Sequence, residues 1–115
     1  MRIHNVYEDA NGESHFRDLE VEWTDGMAGA KISKRLPGTG MVVCEFTASV
    51  SYDTWHRAPR RQYVVNLAGV VELTVSDGET RHIAPGEILL VEDTAGKGHI
   101  TKFAPGHRSI YIPIE

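Results

Sequence analysis

The sequence predicts an all-β domain of about eight to ten short strands, folded as a double-sheet jelly roll or barrel. Three observations carry this. Alternation is the dominant local pattern, and the clearest segments, Gln62–Leu67 and Val70–Val75, are runs rich in β-forming residues. Candidate strands recur at intervals of roughly ten residues, separated by turn dipeptides. No segment carries the 3.6-residue period of a helix.

The second half is the clearer. Asp77-Gly78 separates Val70–Val75 from Glu79–Ile83, a strong hairpin signal because glycine accepts positive φ. Pro85-Gly86 marks the next turn, before the strand Glu87–Glu92. Gly96-Lys97-Gly98 reads as a turn before His99–Phe103; it lacks the spacing of a phosphate loop. Pro105-Gly106 then turns into Arg108–Ile112. In the first half, Ile3–Tyr7, Leu19–Trp23 and Met41–Ala48 read as strands, with turns at Asn11-Gly12 and Asp25-Gly26. Residues 26–40, with Gly26, Gly29, Pro37, Gly38 and Gly40, read as a loop or irregular edge.

The chain has 115 residues, the length of one domain. No linker or repeat divides it, so residues 1–115 form a single unit: N-terminal strands in 1–40 and a core in about 41–115. Apolar residues make up 41% and charged residues 24%, an ordinary globular balance. The net charge of −4 argues against nucleic acid and against anionic membrane surfaces as partners. The N-terminus shows no signal peptide and no stretch reaches the length of a membrane span, so the expected location is the cytoplasm. A lone Cys44 in an apolar run is expected in the core. Trp23 and Trp55 are expected in the core or at an interface.

The segments His56-Arg57-Ala58-Pro59-Arg60-Arg61-Gln62, continuing to Gly69, and Pro85-Gly86-Glu87 through His99 resemble the two motifs of the cupin superfamily. The first of those motifs runs His-x-His, Glu and then Gly; the second runs from Pro-x-Gly or Pro-Gly-Asp to a His. The likeness covers roughly residues 41–112. Trp55–Gln62, Glu92–His99 and Gly12–Phe16 are similar to a group of small bacterial single-domain cupins. The resemblance implies a double-stranded β-helix barrel, a homodimer, and a site inside the barrel. In metal-dependent members three His and a Glu bind a divalent ion. In this register the second His is Ala58 and the Glu is Gln62, and Phe103 stands where many members have Asn.

The candidate site residues are His56, Arg60, Gln62 and His99. Residues two apart in a strand share a face, so an extended segment places His56, Ala58, Arg60 and Gln62 together. Two readings of the chemistry follow. In one, His56, Gln62 and His99 ligate Fe, Mn, Ni or Zn, with charge restored by Asp93 or Glu92 should their loop fold inward. In the other, no metal is present: Arg60 binds a carboxylate or phosphate, the two imidazoles move protons, and Gln62 orients the ligand. Either implies a small polar metabolite and a lyase, isomerase or oxygenase. The alternatives are a non-catalytic binding or sensor module and a structural dimeric barrel. His4, His82 and His107 are expected to be structural, as is His15. Asp93 is expected to make a local turn bond with the backbone after it. Arg60-Arg61 is expected to be a solvated or paired duo.

Overall fold

Residues 1–24 and 26–115 are described in a computed structural model of the chain. They form twelve strands: β1 (Arg2–Glu8), β2 (Ser14–Glu20), β3 (Trp23–Thr24), β4 (Ile32–Ser33), β5 (Val42–Glu45), β6 (Val50–His56), β7 (Gln62–Ala68), β8 (Val71–Val75), β9 (Thr80–Ile83), β10 (Ile88–Val91), β11 (His99–Phe103) and β12 (Arg108–Pro113). Among the described residues there is no helix, and so none long and apolar enough to cross a membrane.

One sheet has six strands in the order β2-β1-β10-β7-β12-β5, and a second has four in the order β6-β11-β8-β9. Pairing is antiparallel except between β1 and β10, where His4 lies opposite Leu89. From β5 onward the chain passes from one sheet to the other at every connection but the β8–β9 hairpin. The Asp77-Gly78 turn closes that hairpin, with Gly78 at φ 99°. Gly86 (φ 86°) and Gly106 (φ 79°) turn the chain between sheets.

The apolar faces of the two sheets meet. Val6, Phe16, Leu89 and Val91 of the six-stranded sheet pack into one cluster with Val71, Leu73, Val75 and Ile83 of the four-stranded sheet. Alternation explains the selection: Val71, Leu73 and Val75 face inward while Glu72 and Thr74 do not.

Several expectations need revision. The two main sheets hold ten strands; the further two, β3 and β4, pair over two residues each, and only β4 lies within the stretch 26–40 expected to be loop. The Asp25-Gly26 turn rests on Asp25, which lies outside the described residues. The strand expected at Leu19–Trp23 instead runs Ser14–Glu20, because Asn11-Gly12 closes a hairpin that pairs it along all of β1. Of the two places expected for Trp23 (41% exposed) and Trp55 (48%), core or interface, exposure excludes the core. Trp55 lies on β6, an edge strand, and Trp23 in the two-stranded pair outside the main sheets. Cys44 is only half-buried, since β5 is the edge of the six-stranded sheet.

Candidate functional site

A cavity of about 450 Å³ lies between the sheets, within the range typical of small-molecule sites. Its walls come from alternate residues of the strands: Gln62, Val64 and Asn66 of β7, and His99, Thr101 and Phe103 of β11. His56, Arg60, Gln62 and His99, the four candidate site residues, all line it.

They reach it differently from the expectation. The segment from Arg57 to Arg61 is not a strand, so no shared strand face aligns His56, Ala58, Arg60 and Gln62. His56 ends β6 in one sheet and Gln62 begins β7 in the other; the chain crosses the cavity end between them. Ala58 at the crossing is buried, and its N–H donates to the Asp93 carbonyl at 3.1 Å. Pro59 and Arg60 remain exposed at the rim.

His56 and His99 are direct partners across the β6–β11 pair. Their rings stand edge to face with centroids 4.5 Å apart. Gly98, at φ 78°, permits this approach: a Cβ there would overlap the His56 carbonyl. His56 Nδ1 lies 3.0 Å from the Thr54 carbonyl, to which it donates. His99 Nδ1 lies 2.5 Å from Asp93 Oδ2. An ionised carboxylate only accepts, so the Nδ1 proton faces Asp93 and Nε2 is the ring atom left for the cavity. Asp93 is fully buried. Its carboxylate therefore orients His99, where a local turn bond had been expected. Glu92 is committed elsewhere, accepting from Arg61 at 2.7 and 3.0 Å and from Asn5 at 2.9 Å. Of the arginine duo, Arg61 is thus paired and Arg60 lines the cavity.

A divalent ion fits this donor set poorly. Two imidazoles and the Gln62 amide bring no negative charge, and Arg60 adds a positive one beside them. Among the described residues, no three His, Cys, Asp or Glu side chains gather in a metal-holding group.

The other histidines divide. His4 is buried, donating from Nε2 to Glu87 (2.8 Å) and accepting at Nδ1 from Arg81 (3.0 Å), a structural role as expected. His15 sits between Asp9 and Asp77, each at 2.8 Å, tying the first hairpin to the β8–β9 turn. Two carboxylate acceptors favour a proton on both ring nitrogens, so its pKa is raised, by Asp9 first and then Asp77. His82 is exposed on β9.

His107 departs from the structural reading. It lines the cavity at 1% exposure, and its Nε2 shares a hydrogen bond with Ser109 Oγ at 3.2 Å. Among the described residues no group meets its Nδ1 in full hydrogen-bond geometry. Burial pushes its pKa below the ordinary imidazole value, opposed in part by the Ala68 backbone. Tyr111 also lines the cavity, and burial pushes its phenol up, so it stays protonated. Asn66 and His107 had no signal in the sequence, where each follows or lies within an ordinary strand or turn.

No protein-family model matches the chain, and no curated protein matches it.

Proposed function

We propose that the chain is a cupin-type jelly-roll enzyme that transfers a proton on a small polar metabolite carrying a carboxylate or carbonyl, as in isomerisation or elimination. The alternation of the chain between two facing sheets supports the jelly-roll reading. The observation that carries the chemistry is His99, at the cavity wall with Asp93 on its far nitrogen. A base needs its free nitrogen directed at the substrate and its resulting charge compensated; Asp93 supplies both. The carbon-bound proton passes to His99 Nε2, and the electron pair stays on the substrate as an enolate. Arg60 holds the carboxylate, and the Gln62 amide donates to the carbonyl oxygen. The imidazolium then returns the proton to another carbon, or gives it to a leaving group that the enolate electron pair expels. These steps need only side chains present in the cavity. An oxygenase would require a redox centre on His56, Gln62 and His99, which the donor set does not favour.

A thermal-shift screen of carboxylates and keto acids, followed by NMR of each stabilising compound in D2O, tests this. Deuterium entering the bound metabolite, and its loss in His99→Ala, is the expected result. Stabilisation without exchange or conversion would make the protein a binding or sensor module. Stoichiometric Fe, Mn, Ni or Zn in protein purified without chelator or metal-affinity resin would overturn the metal-free chemistry.

The proposal includes a homodimer. The edge strand β5 exposes Val42 and Val43 (69% for Val43), with Met41 beside them, and among the described residues no strand pairs with its outer side. Such an edge suits a second copy of the chain. Sedimentation of the wild type against Val43→Lys reads this directly; a monomeric wild type overturns it.

A further inference from the structure

The cavity has a second polar end. Along β7, Gln62 and Asn66 are four residues apart, as are His99 and Phe103 along β11. At the strand rise, each pair spans about 13 Å. The wall between is mainly apolar, with Val64, Val71, Leu73, Leu89 and Val91.

At the far end Phe46, Phe103 and His107 form a cluster of rings with centroid separations of 4.4, 5.5 and 5.0 Å. Asn66 stands beside them: its Nδ2 donates to the Gly69 carbonyl at 2.7 Å and the Ile83 carbonyl at 3.0 Å, and Gly69 packs against His107. Those two bonds lock the amide, so Asn66 Oδ1 is an acceptor that cannot turn away. Among the described residues it has no partner, and His107 Nδ1 has none in full hydrogen-bond geometry. Both side chains are about 99% buried and both line the cavity. Buried polar atoms are rarely left unpaired, and two orphans on neighbouring cavity walls mark a place where a ligand atom completes the bonding.

We infer that Asn66 and His107 form a hydroxyl-binding subsite, so that the ligand is an acid with a flat apolar body and a hydroxyl at the end opposite its carboxylate. The inference rests on the proposed function, which places the carboxylate at Arg60. The body lies between the apolar walls, and the hydroxyl reaches the ring cluster. It donates to Asn66 Oδ1 and meets His107 Nδ1, which donates or accepts according to its tautomer. The neutral form favoured by burial leaves that choice open. A hydroxylated aromatic acid satisfies these demands.

Calorimetric titration with 4-hydroxycinnamate and with cinnamate tests this, since the two differ only in the hydroxyl. The expected preference for 4-hydroxycinnamate is tenfold or more, because a site built to bond a hydroxyl is left with unpaired groups by the analogue that lacks it. His107→Phe should lower the preference several-fold without abolishing it, because Asn66 Oδ1 remains to accept from the hydroxyl. Should that variant fail to fold, the wild-type ratio alone decides. Equal affinities that fall together in Arg60→Ala would overturn the hydroxyl subsite and leave the Arg60 end standing. A preference that persists in Arg60→Ala with unchanged affinity for both acids would support the subsite and overturn the proposed carboxylate end. No binding of either acid to folded protein at millimolar concentration would overturn the ligand class.

Discussion

Removing Asp93 tests the centre of the proposed site without knowledge of the substrate. The carboxylate is fully buried, and Oδ2 lies 2.5 Å from His99 Nδ1. A buried hydrogen bond to a charged group contributes about 1.5–3 kcal/mol. A chain of this length has a total stability on the order of 6–15 kcal/mol, so single variants remain folded. In a double-mutant cycle of Asp93→Ala, His99→Ala and the pair, the coupling energy should be about 1.5–3 kcal/mol. At about 4 °C per kcal/mol for a domain of this size, the double variant should melt about 6–12 °C above the additive expectation. Urea denaturation with a common slope gives the energy, and calorimetry gives the Tm. A coupling below about 0.5 kcal/mol would refute the reasoning, since Asp93 would then not be holding the ring. Nitrogen shifts of His99 supply a second reading: Asp93→Asn should lessen the preference for the proton on Nδ1.

Ser14 is fully buried; its Oγ donates to the Gly98 carbonyl at 2.6 Å and accepts from the Ser76 N–H at 2.7 Å. Ser14→Ala leaves both groups without that partner and should cost about 1–3 kcal/mol in urea melts; a loss below about 0.3 kcal/mol would show that the loop before His99 is held by other contacts. His15 has a raised pKa, so its contribution is complete below the ordinary value near 6.5 and disappears as pH rises through the raised one. Asp9 and Asp77 are lowered, Asp9 chiefly by His15 and Asp77 chiefly by the Glu79 N–H, so their contributions vanish in stronger acid. The Tm deficit of His15→Gln should therefore be larger at pH 5.5 than at pH 9, and an equal deficit would contradict the double ion pair. His107 has the opposite sign: with its pKa lowered, the unfolded chain binds the proton first, and stability falls as pH drops below about 6.5. His107→Phe should flatten that limb of the Tm profile, and an unchanged limb would place the acid sensitivity elsewhere.

Strand and turn chemistry was readable one segment at a time. Asp77-Gly78, Pro85-Gly86 and Pro105-Gly106 each announce a turn through a residue suited to positive φ, and each is one. The alternating strand Val71–Val75 declares its buried face. The errors lie where neighbours decide. Nothing in Trp55 or Cys44 states that its strand ends up at a sheet edge. The short pair β3–β4 has too few residues to show a period.

The candidate site divides the same way. His56, Gln62 and His99 were found through a motif resemblance and Arg60 through strand alternation, and all four line one cavity. The single strand face expected for His56, Ala58, Arg60 and Gln62 does not hold, because Pro59 lies in a crossing between sheets. Asp93 and His107 carry no local mark of their positions. Asp93 is six residues before His99, and the bends at Ala95–Lys97 fold its carboxylate back onto the ring.

The order of residues therefore contained the all-β class, the turns and much of the burial pattern, because backbone preference and side-chain alternation act over a few residues. Strand partners, edges and the cavity depend on how distant segments meet. The His99 ring is held by Asp93, and His99 becomes a neighbour of His56 through sheet pairing. Asn66 and His107 become a joint polar end when β7 and the turn before β12 come together. Those contacts follow from burying both apolar sheet faces at once, a free energy that belongs to the whole chain.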